Sequence, residues 1–252
     1  PRHFEDLWKW RFFFQAFKQY ICKTYIPRCE KMSAVCDGIA REYEKNYKVP
    51  ATVVLNASPY RPNIPVRPTD PKQIRLIHHG ISNRSRHLED MVNMVKHLDD
   101  RYALDLMLVC NDPTYTQTLR RLVDQTPRVQ IIPAVAHQEI VPFISQYDIG
   151  IFMLRPINFN YEHGLPNKFF EFVQARLAVG IGPSIEMVKF IDEYKFGIYS
   201  ATFDGVDLAK TLNKLSVEEI DTMKQYSDVA AKKLNAETVM AHMLQAVDSS
   251  EI

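Results

Sequence analysis

From Gln73 onwards, short apolar runs alternate with longer segments in which apolar residues recur every three or four positions. Such an alternation predicts strands and helices in turn. The predicted strands are IRLIHH, LDLMLVC, VQIIPA, IGIFML, AVGIG and GIYSA, and the predicted helices are 87–101, 114–125, 137–147, 167–176, 185–194 and 206–215. Because the strands are apolar on both faces, the pattern predicts a Rossmann-like α/β fold, with a parallel sheet covered by helices on both sides.

The chain on either side of this alternating region contains further predicted elements. Apolar residues spaced by three and four positions predict a helix from Phe4 to Thr24, which Pro27 ends. A short strand at 32–36, a helix at 37–47 with Asp37 as its N-cap and a β-branched strand at 51–56 follow. Two more helices, at about 216–234 and 236–247, close the chain.

Prolines at 59, 62, 65, 68 and 71 mark a change in the chain. This spacing favours an extended connector between domains, and a ligand for a proline-binding domain is the alternative. We therefore predict three parts: 1–60 as the end of an N-terminal domain, 61–72 as a linker, and 73–252 as the Rossmann-like domain. Because the first residue is Pro1 and helix begins almost at once, we expect the chain to be a piece of a longer protein.

Composition narrows the class of protein only a little. The 46% hydrophobic and 24% charged residues are typical of a soluble globular protein, and the net charge of +1 does not favour bulk binding to nucleic acid. The four cysteines form no C-x-x-C pair, which favours reduced thiols over disulfides or a zinc site. With no signal peptide and no membrane-spanning apolar run in the sequence, we expect a cytoplasmic protein.

The candidate chemistry lies in the loops after the first and fourth strands of the alternating region. With the usual strand order 3-2-1-4-5-6, these loops flank the point where the order reverses, which is where ligands of such sheets bind. Gly80 would let the first loop leave its strand tightly, and Arg84 and Arg86 would start the next helix. Lys168 would lie in the first turn of another helix, with Pro166 as its first residue.

A cation in the first turn of a helix opposes the helix dipole. Two such helix starts facing one crevice favour an anionic ligand, most simply a phosphate or diphosphate, whereas three solvated surface charges are the alternative. Glu171, one turn beyond Lys168, could accept hydrogen bonds from ribose hydroxyls, or it could face solvent. No Walker loop and no G-x-G-x-x-G motif follows a strand.

The segment GLPNKFFEFVQARLAVGIGPSIEM resembles the donor-binding signature of retaining glycosyltransferases of family 4, which have the GT-B fold. HHGISNRSRHLEDMVNMVKHL resembles that family's strand, glycine loop and helix, and the later strands and helices follow in the family's order. Residues 32–56 resemble the last strand and helix of the family's acceptor domain. The resemblance therefore implies mostly the C-terminal, nucleotide-sugar-binding domain of such an enzyme.

The resemblance also implies roles for individual residues. Arg86 and Lys168 would contact the donor diphosphate, Glu171 the ribose, and His163, with Glu162 beside it, the donor sugar. The nucleotide-binding set that it implies is Gly80, Arg84, Arg86, Pro133, Ala134, Val135, Gly164, Leu165, Asn167, Lys168 and Glu171. Two positions depart from the family pattern: a glutamate is replaced by His163, and the basic residue that often follows the glycine is replaced by Ile81.

By this resemblance, the protein would transfer a sugar from a UDP- or GDP-sugar to the hydroxyl of a carbohydrate or lipid-linked acceptor. The reaction would retain the anomeric configuration and require no metal, and this chain alone would be inactive without its acceptor domain. The alternatives are a non-catalytic nucleotide-binding module and a sugar-nucleotide epimerase, for which His163 and Glu162 would be the acid and base. The aromatic helix 4–24 would pack on the acceptor domain or contact the inner face of a membrane.

Overall fold

The computed structural model describes the backbone of residues 10–248 and the side chains of residues 12–245. The strands are β1 (Met32–Ala34), β2 (Ala51–Val53), β3 (Ile74–Ser82), β4 (Tyr102–Cys110), β5 (Val129–Pro133), β6 (Ile149–Phe152), β7 (Ala178–Ile181) and β8 (Gly197–Tyr199). The helices are α1 (Gln15–Tyr25), α2 (Asp37–Tyr47), α3 (Leu88–Val95), α4 (Pro113–Asp124), α5 (Ile140–Ile144), α6 (Phe159–Glu162), α7 (Asn167–Gln174), α8 (Ile185–Tyr194), α9 (Gly205–Leu212), α10 (Val217–Ala231) and α11 (Ala236–Asp248).

Six strands form one parallel sheet in the order β5-β4-β3-β6-β7-β8. Numbered along the sheet's own strands, this order is 3-2-1-4-5-6, which confirms the predicted Rossmann-like architecture. The order reverses between β3 and β6, so the carboxyl ends of these two strands form the switch point of the sheet. Strands β1 and β2 form a separate parallel pair.

The sheet separates two apolar layers because successive side chains of a strand point to opposite faces. Ile74 and Leu76 of β3 belong to the layer that packs against α3, α4 and α9. Ile77 belongs to the other layer, where Phe169, Phe172 and their neighbours on α7 pack together with α8 and α10. The predicted burial of both faces of the sheet is therefore confirmed.

Strands β3 and β6 part before either of them ends. Their register contains only the pairs Leu76↔Ile149 and Ile77↔Gly150, although β3 continues to Ser82. Beyond this point, side chains satisfy two carbonyl groups that face the gap: Nδ1 of His78 lies 2.9 Å from the oxygen of Ile151, and Nζ of Lys168 donates to the oxygen of His79. A gap therefore opens at the switch point, lined by side chains rather than by a strand ladder.

The proline-rich connector packs on the sheet domain through a buried polar network. Nζ of Lys224, 1% exposed, donates to Asp148 Oδ1 at 2.8 Å and to Thr69 Oγ1 at 3.2 Å. The other oxygen of Asp148 accepts the backbone N–H of Arg75 at 2.8 Å. Thr69 in turn donates its backbone N–H and its hydroxyl to Asp221. The connector is thus held to both the sheet and α10.

Several predicted boundaries are wrong. The helix predicted at 87–101 ends at Val95, and the loop before α7 contains the unpredicted short helix α6. Asp37 is the first residue of α2 rather than its N-cap, which is Cys36. Pro166 is the extended N-cap of α7 rather than its first residue.

The predicted first helix is only partly described. Its residues Phe4 to Lys9, including Trp8, lie outside the described residues, and α1 is preceded by a π-helical turn at Trp10–Phe14. The side chains of Phe12 and Phe17 are 71% and 60% exposed. None of the helices within residues 10–248 combines the length and apolar composition needed to cross a bilayer.

We expect Asp148→Ala to lower the free energy of unfolding by about 3–5 kcal/mol, because it leaves the ammonium group of Lys224 buried without its carboxylate. Urea denaturation followed by circular dichroism measures this. The matched control is Lys210→Ala, which removes an exposed ion pair with Asp207 and should leave the midpoint almost unchanged. Equal midpoints for both variants would contradict a structural role for the buried network.

Candidate functional site

The candidate site lies in the gap between β3 and β6, and we call it the switch-point crevice. It is lined by His79, Gly80, Arg86, Lys168 and Glu171. These residues come from the end of β3, from the turn that follows it and from the first turns of α7. The crevice therefore brings together the two loops that the sequence pattern singled out.

Lys168 reaches back from α7 toward the end of β3. Its ammonium group donates to the carbonyl of His79, lies 3.5 Å from Nε2 of His78 and stands 4.8 Å from the centre of the Phe152 ring. Gly80 makes this approach possible, because a Cβ atom at that position would lie 2.6 Å from Nζ. The φ of +140° at Gly80 also favours glycine.

The charge of Lys168 is disfavoured in this surrounding. Loss of hydration and, to a smaller extent, the charge of Arg86 lower the pKa of Lys168 to about 7, and Glu171 opposes the shift. The helix dipole adds a partial positive charge at the start of α7. An anion in the crevice would offset the lost hydration of Lys168, the repulsion from Arg86 and the positive end of the helix dipole.

Arg84 and Arg86 follow β3 in a short 3₁₀ turn rather than in the first turn of α3. The guanidinium of Arg86 lies 5.2 Å from the Tyr161 ring centre, and that of Arg84 lies 5.8 Å from the Tyr115 ring centre. Since Tyr115 belongs to α4, Arg84 extends toward the β4 side and away from Lys168. Among the described residues, no carboxylate lies within ion-pair distance of Arg84, Arg86 or Lys168.

Glu171 is 5% exposed although it carries a carboxylate. Its Oε2 lies 3.3 Å from Nε2 of His79, and its Oε1 lies 3.9 Å from Nδ1 of the exposed His137. Burial raises the pKa of Glu171, and the charges of His137 and Lys168 oppose that shift. No described residue makes a hydrogen bond to this carboxylate, whose oxygens are not fully enclosed, so its hydrogen bonds are left to solvent or to a ligand.

The loop after β5 leads toward the same crevice. Pro133 and Ala134 are exposed, whereas Val135 is half-buried against the apolar layer that contains α7. His137 carries this loop to Glu171. The three residues predicted to lie near a nucleotide base therefore precede, by two to four positions, a histidine that lies 3.9 Å from the carboxylate of Glu171.

His163 points away from the switch-point crevice. Its Nδ1 lies 3.0 Å from Oε1 of Glu186, a carboxylate that also accepts the backbone N–H of Gly38 at 3.0 Å. Gly38 lies so close to the imidazole that a Cβ atom there would be 1.9 Å from Nδ1. Glu162 is exposed at the end of α6. The acid–base pair that an epimerase would need is therefore not formed by these two residues.

The remaining predicted residues support α7 from the preceding loop. Gly164 follows α6, and Leu165 is buried in the apolar layer below α7. Asn167 begins α7 and accepts a hydrogen bond from the side chain of Asn56, which lies at the end of the first segment. These residues thus connect the crevice to the segment before the proline-rich connector.

Sequence reasoning missed His78, His79 and His137. The two adjacent histidines at the end of a buried strand were the available signal, because strand residues at that position face both layers and buried imidazoles need partners. Burial, followed by the charge of Lys168, lowers the pKa of both of these rings, for His79 to about 3. Within residues 12–245, no group of three or more His, Cys, Asp or Glu side chains is arranged to hold a metal ion.

No protein-family model and no curated protein matches this sequence. Solved structures do match its fold. Anabaena HepE in complex with UDP and glucose superposes with a TM-score of 0.69 at 10% identity, over 88% of this chain and 64% of HepE. A glycosyltransferase from Rickettsia africae ESF-5 gives 0.69 at 14% identity, over 92% and 66% of the two chains. The GtfA/B complex gives 0.71 at 14% identity, over 93% and 48%.

The fold is that of GT-B glycosyltransferases. The identities are low, so the likeness concerns the fold, and the chain spans less than two thirds of the length of HepE. The predicted fold class, an α/β chain with a Rossmann-like parallel sheet, is confirmed by the topology and by these superpositions.

We expect Lys168 to lose its proton with a pKa of about 7 in the folded protein. Arg86→Met should raise that pKa, because it removes the positive charge that disfavours protonation of Lys168. The measurement is an NMR titration of the lysine Cε resonances, with Lys168→Arg used for assignment. Arg84→Met is the matched control, since Arg84 extends toward Tyr115 instead. A pKa near 10.5, or the same change in both variants, would overturn this account of the crevice.

Proposed function

We propose that this chain binds the nucleoside diphosphate part of a nucleotide-sugar donor for a retaining glycosyl transfer. The observation that carries the proposal is the pairing, in one crevice, of two cations with a largely buried carboxylate. Among residues 12–245 the cations have no carboxylate within ion-pair distance, and the carboxylate accepts no hydrogen bond. A nucleoside diphosphate offers both complements, phosphate oxygens for Arg86 and Lys168 and ribose hydroxyls for Glu171. Its base would lie against the loop Pro133–Val135.

The proposed chemistry is electrostatic. When the bond between the sugar and the diphosphate breaks, negative charge grows on the leaving oxygen, and Arg86, Lys168 and the N–H groups at the start of α7 would stabilise it. These groups are held in place before the ligand arrives, because Lys168 is fixed by the His79 carbonyl and Arg86 rests on Tyr161. The acceptor hydroxyl would be presented by an acceptor domain of the GT-B fold.

The fold supports the substrate class as well as the site. HepE is described in complexes with UDP and glucose and with UDP-glucose. The superposition on HepE covers 88% of this chain. UDP is therefore the first ligand to test, and GDP the second. Arg84, on the β4 side of the turn, would contribute to the field at the diphosphate rather than contact it directly.

We expect UDP or GDP to bind this chain in isothermal titration calorimetry, with or without magnesium. Arg86→Ala and Lys168→Ala should each weaken binding by about 1.5–3 kcal/mol, because each removes charge-assisted hydrogen bonds to phosphate. The matched control is Arg120→Ala, an exposed cation on α4 outside the crevice, which should leave the affinity unchanged. Absence of binding by both nucleotides at millimolar concentration would refute the proposed function.

The same titration should depend on pH in a defined direction. The pKa of Lys168 is lowered to about 7 in the free protein, so the side chain is mostly neutral above that pH. A bound diphosphate raises this pKa, so the affinity should fall by about tenfold per pH unit between pH 7.5 and 8.5. Lys168→Arg removes this dependence, since an arginine keeps its charge. The same slope in both proteins would assign the effect to another group.

Glu171→Gln tests the ribose part of the proposal. We expect the variant to fold normally but to bind UDP more weakly by roughly 1–2 kcal/mol, because a neutral amide is a weaker acceptor for two hydroxyl groups. Thermal denaturation and calorimetry on the same sample separate the two effects. If Glu171→Gln binds UDP normally and the wild type binds a deoxyribose analogue as well as UDP, Glu171 has no ribose role.

A further inference from the structure

His79 has a polar atom that its surroundings leave unused. The residue is 4% exposed in β3, and its Nε2 is buried without a hydrogen-bond partner among the described residues. The packing of the ring is explained by an edge-on contact with Phe172, with 5.3 Å between the ring centres. An apolar side chain could make the same contact, so packing alone does not account for an imidazole at this position.

The unused nitrogen faces the carboxylate of Glu171. The two atoms are 3.3 Å apart, but their orientation does not form a hydrogen bond. Burial lowers the pKa of His79 to about 3, so the ring is neutral at physiological pH and the contact is not an ion pair. A bare nitrogen lone pair beside a carboxylate would be repelled, which favours the tautomer that carries its proton on Nε2.

A hydroxyl group satisfies both atoms at once, because it accepts one hydrogen bond and donates another. The 3.3 Å separation leaves no room for a hydroxyl on the line between the two atoms, and Nε2 is enclosed. The hydroxyl would therefore approach from the side after a small rotation of the imidazole, accept from Nε2–H of His79 and donate to Oε2 of Glu171. The backbone of His79 also binds the ammonium group of Lys168 through its carbonyl. A single residue therefore faces both the cation proposed to hold the diphosphate and the carboxylate proposed to hold the ribose.

We propose that His79 is a specificity residue of the donor site, whose Nε2–H donates to the ribose hydroxyl that Glu171 accepts from. This inference rests on the proposed function and deepens it. Together, a donor and a buried carboxylate would select ribonucleotides over deoxyribonucleotides, because a ligand without that hydroxyl leaves both groups unpaired in the crevice. Glu171 alone would supply only the acceptor.

The test compares His79→Leu with the wild type against UDP, 2′-deoxy-UDP and 3′-deoxy-UDP by calorimetry. We expect His79→Leu to lower the affinity for UDP by about tenfold or more. Its affinity for one of the two deoxy analogues should change by less than about threefold, because that analogue lacks the hydroxyl that His79 would bind. His79→Gln keeps a donor close to the position of Nε2 and should restore part of the UDP affinity. Lys168→Ala, which acts on the diphosphate, should weaken all three ligands alike.

The outcomes separate the two proposals. The role of His79 would be overturned if His79→Leu bound all three ligands more weakly, or if it bound all three as well as the wild type does. Either outcome would leave the diphosphate site intact. Failure of the wild type to bind UDP would overturn the proposed function itself, before any variant is made. If His79→Leu does not fold, the Nε2 resonance of ¹⁵N-labelled wild-type His79 provides the answer, because it should shift with UDP and not with the critical deoxy analogue.

Discussion

The candidate site depends on the early parting of β3 and β6. Two register pairs join these strands, and beyond Ile77 their facing carbonyls are no longer bonded to each other's backbone. Buried carbonyls need donors, and here the donors come from the side chains of His78 and Lys168. The gap in the ladder thereby becomes a polar crevice, and the half-buried lysine that fills it lies at the switch point of the sheet.

This arrangement explains why the crevice is electrostatically unsatisfied. Lys168 is needed to satisfy a carbonyl, but its charge lies beside Arg86 and the positive end of α7, and loss of hydration lowers its pKa. Glu171 is buried on the same helix, with two imidazoles nearby and no donor from the described residues in hydrogen-bond geometry. A folded protein rarely keeps such groups unless a ligand completes them.

A second carboxylate shows the opposite case. Glu186 is 1% exposed and is fully satisfied by Gly38, His163 and Lys189, and burial is outweighed by these partners, so its pKa is lowered. It fastens α2 of the first segment to α8 of the sheet domain. The contrast between the two glutamates separates a structural carboxylate, which three residues of the chain satisfy, from one that accepts no hydrogen bond from the described part of the chain.

Much of the fold follows from local pattern. The alternation of apolar runs with helical periodicity was enough for the parallel sheet, because strand and helix periods are read within a few residues. The strand order was assumed from the usual order of such sheets, and the structure has that order. The loops after β3 and β6 could be singled out in the same way, together with Gly80, Arg86, Lys168 and Glu171. Boundaries such as the end of α3 could not, because they depend on what each end packs against.

The direction of individual side chains was decided only by the tertiary structure. By residue type and loop position Arg84 and Arg86 are alike, and only the family resemblance favours Arg86. In the structure Arg84 extends over Tyr115, and Arg86 is the arginine whose charge lowers the pKa of Lys168. His163 occupies the position of a sugar-binding residue in the resembling family, yet it is held by Glu186, a residue 23 positions away. The sequence pattern assigns His79 no role beyond that of a residue in a buried strand. Its Nε2 lies next to Glu171 only because β3 and α7 pack together. Contacts between residues so far apart in the sequence are set by packing rather than by neighbouring residues.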